Sequence, residues 1–94
     1  GELDESPEEL FKMAMLGSSL GRSERAEALF RRGLALQPEG IHHLTFGLIL
    51  GRQGKLDEGA EQLRIALGRY RQDLSEQQAS MAEQALAQWS GTKP

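Results

Sequence analysis

Ninety-four residues suffice for one small domain with a thin core, and 27% charged with 38% hydrophobic residues is the balance of an ordinary folded, soluble protein, not of a disordered one. The lack of cysteine excludes a disulfide framework and a thiolate metal site, and no apolar run approaches the roughly 18 residues of a membrane span, which argues against membrane insertion; the compartment stays open, with the cytoplasm favoured. A formal charge of −3 argues against nucleic acid as a general partner, and a chain with no Val, no Asn and few β-branched residues lacks strand formers, so the expected fold is all-α.

Residues 1–6 form an acidic lead-in, with Glu2, Asp4 and Glu5 at its centre and little to bury. Ser6-Pro7-Glu8-Glu9 then marks a helix start: Ser6 caps, Pro7 takes a position where a missing N–H costs nothing, and Glu9 closes a capping box. Leu10, Met13, Ala14 and Gly17 make one inward stripe, and Phe11 and Met15 a second. Gly21 stops this helix and Ser23 is placed to cap the next, which turns Ala26, Leu29, Phe30, Gly33 and Leu34 inward and ends at Pro38. The third helix, from about Ile41 to Arg52, is apolar nearly all round and calls for contact on most sides. After Gly54, Asp57 is placed to cap a helix with Ala60, Leu63, Ala66, Leu67 and Tyr70 as its stripe. Ser75-Glu76-Gln77-Gln78 is a further capping box, opening a last helix with Ala79, Ala82, Leu86 and Trp89 inward and a Gln- and Glu-rich outer face.

The first two helices are echoed by the next two at a constant offset of 33 residues. Gly21 returns as Gly54, Ala26 as Gly59, Phe30 as Leu63 and Gly33 as Ala66; in the preceding helix Leu10 meets His43, Met13 meets Phe46, Ala14 meets Gly47 and Gly17 meets Leu50. This pattern resembles the tetratricopeptide repeat (TPR), a helix-turn-helix unit of about 34 residues, over the span from Pro7 to Tyr70. Gly21 and Gly54 match the family's turn glycine, Ala26 and Gly59 its small site, Phe30 and Leu63 its large site, and Pro38 its unit-ending proline. His43 stands where the family has a bulky apolar residue, Gly17 where an aromatic is common, and Arg71 near the place of a second proline. The resemblance implies two TPR-like units, residues 7–38 and 39–72, a capping helix over 73–90 and a tail over 91–94, wound as a right-handed α-solenoid of five helices.

It also implies a function. Such solenoids line a concave surface with their first helices, and in this family the groove holds peptides or helices of other proteins; its best-known version clamps a terminal carboxylate with polar side chains. The matching positions here are Phe11 and Met15 in the first helix and Ile41, Leu44 and Leu48 in the third, apolar where that clamp is polar, with Arg52 and Glu8 as rim charges. The expected function is therefore a protein-binding adaptor for a partner peptide or amphipathic helix. The same five apolar side chains also read as ordinary core, or as a strip for homo-oligomers or for stacking within a longer array.

No phosphate loop, nucleophile elbow, zinc spacing or calcium loop occurs, so neither an enzyme nor a cofactor is expected. His42-His43 alone invites a metal or acid-base role, but neighbouring helical residues point about 100° apart and cannot chelate jointly; packing, with His43 half-buried and His42 exposed, is the preferred reading. Arg25, Arg31 and Arg32 read as a solvated face before a docking patch, and Trp89 as a core residue of the capping helix before a partner anchor.

Overall fold

The structure, a computed structural model, describes residues 6–90; residues 1–5 of the acidic lead-in and the tail Gly91–Pro94 lie outside the described residues. Five α-helices follow one another: α1 (Pro7–Ser19), α2 (Ser23–Leu36), α3 (Gly40–Arg52), α4 (Leu56–Arg69) and α5 (Glu76–Ser90), with a 3-10 turn at Arg71–Asp73 before the last. Among the described residues there is no strand, and no helix is long and apolar enough to cross a membrane. The chain divides into two compact units, the division falling between Pro38 and Glu39.

In the first unit α1 and α2 form an antiparallel hairpin. Ser6 Oγ accepts from the Glu9 N–H at 3.2 Å and Pro7 occupies the first turn, so the Ser6 cap forms as its sequence dictates; among the described residues no side-chain bond from Glu9 closes the expected box. The hairpin turns on Gly21, at φ +79°, a left-handed conformation that side chains rarely adopt. Gly21 N donates to Ser18 O at 3.1 Å and Arg22 N to Gly17 O at 2.8 Å, the pair of bonds that defines a Schellman stop. Leu10, Phe11, Ala14 and Gly17 of α1 and Ala26, Leu29, Phe30 and Gly33 of α2 are buried. Met13 is not: it is 45% exposed, because it sits about 100° round the helix from Ala14 and only one side of α1 meets α2.

In the second unit α3 and α4 are joined by the same device. Gly54 has φ +88°, Gly54 N donates to Gly51 O at 3.0 Å, and Lys55 N donates to Leu50 O at 2.9 Å. The two stops explain why Ser23 and Asp57 cap nothing. Arg22 and Lys55 are already committed as the last residue of each stop, and their backbones (ψ 72° and 70°) lead straight into the next helix, so they become the N-caps of α2 and α4 with no side-chain bond. Ser23 and Asp57 fall inside the first turns, where an acid still favours the helix dipole. The Ser75 box forms in full: Ser75 Oγ accepts from Gln78 N at 3.0 Å and Gln78 Oε1 accepts from Ser75 N at 2.9 Å. Such a cap stabilises a helix by about 1 kcal/mol.

Leu44, Leu63, Ala66 and Ala82 form the centre of this unit, with Ile41, Leu48, Leu67, Leu74, Leu86 and Trp89 packed around it. α3 and α4 approach so closely that a Cβ on Gly59 would lie 2.7 Å from Gly47 O and 3.0 Å from Gly51 N. The indole of Trp89 lies against Gly51 and Gly59, in space that side chains there would fill.

Candidate functional site

In α1 the residues Glu8, Phe11 and Met15 share one face by helical spacing. The structure separates their roles. Phe11 is 3% exposed: its ring meets Phe30 at a centroid distance of 6.0 Å and covers Gly33, where a Cβ would come within 2.7 Å of it. Met15 is 51% exposed and Glu8 is exposed, so the outer edge of this face is one apolar side chain beside one carboxylate.

In α3 the corresponding face is Ile41, Leu44, Leu48 and Arg52, spaced three and four apart. Leu44 is 2% exposed at the centre of the core; Ile41 and Leu48 are half-buried at its edge, and Arg52 is exposed in the last turn of α3. The second unit thus brings Ile41, Leu44 and Leu48 together as one apolar body, half of it supporting the fold and half open, with a cation at its end.

The two histidines point apart. His43 Nδ1 lies 2.7 Å from Gln62 Oε1 and its ring stacks on Tyr70 with centroids 5.2 Å apart and 17° between planes. It is 8% exposed, deeper than the half-buried position expected, because Gln62 of α4 and Tyr70 just past its end cover it. His42 is not simply exposed either: its side chain retains 25% exposure, with Nε2 3.5 Å from Glu39 Oε1. Burial holds the His42 imidazole below its ordinary value of 6.5; the Glu39 carboxylate pulls the other way and His43 adds to the depression. Among the described residues no three His, Asp or Glu side chains are grouped to hold a metal.

No family model, curated protein or solved structure matches this chain. Its likeness to the TPR therefore rests on its own residues.

Trp89 is half-buried on the α3–α4 pair. Arg25, Arg31 and Arg32 are exposed. A further apolar surface lies along α1: Met13, which its spacing places inward, and Leu16 and Leu20 are 45%, 60% and 60% exposed, and with Gly17, Arg22 and Arg25 they line a shallow depression of about 290 Å³. The signal was present in their alternating three- and four-residue spacing.

Proposed function

We propose that the chain is a TPR-like protein-interaction module: two helix-turn-helix units and a capping helix wound as a right-handed α-solenoid, whose first helices offer an apolar groove to a partner peptide or amphipathic helix. The observation that carries this reading is the recurrence of one hydrogen-bonded device. The left-handed glycine and both bonds of the Schellman stop recur 33 residues apart, at Gly21 and Gly54, followed each time by a buried small residue, Ala26 or Gly59, and a fully buried large one, Phe30 or Leu63. Chains that repeat a hairpin in this way bury one side of each unit and leave the other for binding.

In this reading Phe11 and Leu44 are the buried supports, Met15, Ile41 and Leu48 touch the partner, and Arg52 and Glu8 orient it by charge. Apolar side chains with a charge on the same helix face, Glu8 on α1 and Arg52 on α3, suit an amphipathic helix, which lays its own apolar face down and matches charges beside it. The module performs no catalysis, and its partner is another protein.

The test is a titration of the chain with amphipathic helical peptides selected against it from a display library. Met15→Glu is expected to weaken binding about tenfold or more, as loss of a central contact does, and the rim change Arg52→Glu about threefold, each with helicity unchanged by circular dichroism. Met13→Glu, placed elsewhere round α1, should bind as the parent does. Peptides that bind both groove variants as tightly as the parent chain would refute the assignment.

A further inference from the structure

α1 carries a second outward stripe. Glu9, Met13, Leu16 and Leu20 follow one another at intervals of four, three and four residues, the seam spacing of helices that pair along their length. All four are exposed. Lys12 and Ser19 lie between this seam and the Glu8–Met15 edge by helical position, so the two surfaces are distinct. The seam is charged at both ends and with opposite signs. Glu9 stands in the first turn of α1, and Arg22 and Arg25 line the depression with Leu16 and Leu20 at the other end. Among the described residues the Glu9 carboxylate and the two guanidinium groups form no ion pair, and the neighbouring Glu24 does not line that depression.

From this we propose that α1 docks against α1 of a second copy of the chain, antiparallel and centred near Leu16. That arrangement lays Met13 over the partner's Leu20 and places Glu9, roughly 10 Å from the centre, toward the end of the partner's seam where Arg22 and Arg25 line the depression, in reach of their extended side chains. Two-fold symmetry forms each of these contacts twice. Charge complementarity favours this occupant: the face has an acidic and a basic end, and an antiparallel copy of itself meets each with the opposite sign. Helix dipoles also favour the antiparallel sense. The proposal uses a different side of α1 from the partner groove and stands or falls independently of it.

Three apolar side chains fall well short of the roughly 800 Å² per partner of a standard stable interface, so the dimer is weak and should appear within a range of about 5 to about 500 µM. Sedimentation equilibrium of the chain over that range tests it. The expected result is a dimer fraction that rises with concentration and is lost in Leu16→Glu with helicity unchanged. Arg25→Glu should weaken dimerisation about fivefold, and Arg25→Glu combined with Glu9→Arg should restore it. Because the chain has no cysteine, single replacements report the sense of pairing. Leu16→Cys sits near the two-fold axis and should cross-link to its own copy, whereas Glu9→Cys is held roughly 20 Å from its own copy and should not. A chain that stays monomeric throughout, a dimer that survives Leu16→Glu, a double charge exchange no better than the single one, or equal cross-linking at both positions would each overturn the proposal.

Discussion

The first and second hairpins place the same backbone device under different side chains. In the first, Ala14 and Ala26 occupy positions where the second has Gly47 and Gly59, and all four are buried. The methyl groups are accommodated between α1 and α2. Between α3 and α4 they would not be, because the Gly47 and Gly59 backbones lie in near contact and Trp89 of α5 rests on Gly51 and Gly59. The first hairpin has no such helix within its unit. A common turn therefore fixes where each hairpin reverses, while helix separation is set by the small residues opposite one another and by what must pack on them.

The largest test of this contrast is Gly59→Ala, which installs the residue of the first hairpin in the second. Its Cβ would meet the Gly47 carbonyl at 2.7 Å and the Trp89 ring at 3.2 Å, and the backbone cannot yield as a side-chain tip does. A loss of about 1–3 kcal/mol is expected from overpacking, read as a lower urea midpoint at unchanged slope. Gly17→Ala in α1 is the control. Its Cβ would lie 3.7 Å from Ala26 Cβ, ordinary contact, so the helix propensity of alanine should raise stability by about 0.5–1 kcal/mol. If both changes destabilise equally, the difference in helix approach is not what separates the hairpins.

The second test exchanges the polar pair for the apolar one. Leu10 and Leu29, both buried, correspond to His43 and Gln62, which share a 2.7 Å hydrogen bond. His43→Leu alone deprives Gln62 of its partner, and Gln62→Leu alone does the same to a histidine that is 8% exposed. Each single change is expected to cost about 1–2 kcal/mol, whereas the double change should come within about 1 kcal/mol of the parent, since removing both partners of a buried bond leaves no unsatisfied group. Additive single losses would mean that the bond does not couple α3 to α4.

What the sequence made legible follows the same division. Both turn glycines and the Ser6 and Ser75 caps were readable because each is a local device, fixed by a few adjacent residues. The starts of α2 and α4 were misplaced because Ser23 and Asp57 are good caps in isolation, yet each preceding stop had already assigned the cap to Arg22 and Lys55. Exposure was harder to read on α1. Phe11, Met13 and Met15 are all apolar, and only the partner helix, with Gly33 open beneath the Phe11 ring, decides that Phe11 is covered while Met13 and Met15 are not. A glycine that receives a ring looks, in sequence, like any other glycine. The depth of His43 was likewise hidden, because it depends on Gln62 and Tyr70, 19 and 27 residues away.

The smallest effect concerns pH and rests on His42. Burial depresses the His42 pKa in the folded chain, so below the ordinary value of 6.5 the unfolded chain takes up the proton more readily than the folded one. The contribution of His42 to stability is therefore full above pH 6.5, declines as pH falls through the lowered folded value, and changes no further below it. The Glu39 carboxylate, 3.5 Å away, limits the depression without reversing it, since desolvation is the larger influence. Urea midpoints measured between about pH 7.5 and about pH 5.5, where free carboxylates remain largely ionised, should fall modestly in the parent chain and less in His42→Gln. Glu39→Gln should steepen the fall, because it removes the one influence that raises the His42 pKa while leaving burial in place. A slope unchanged in both variants would place the pH sensitivity on another group and would mean that water reaches the His42 ring more freely than its 25% exposure implies.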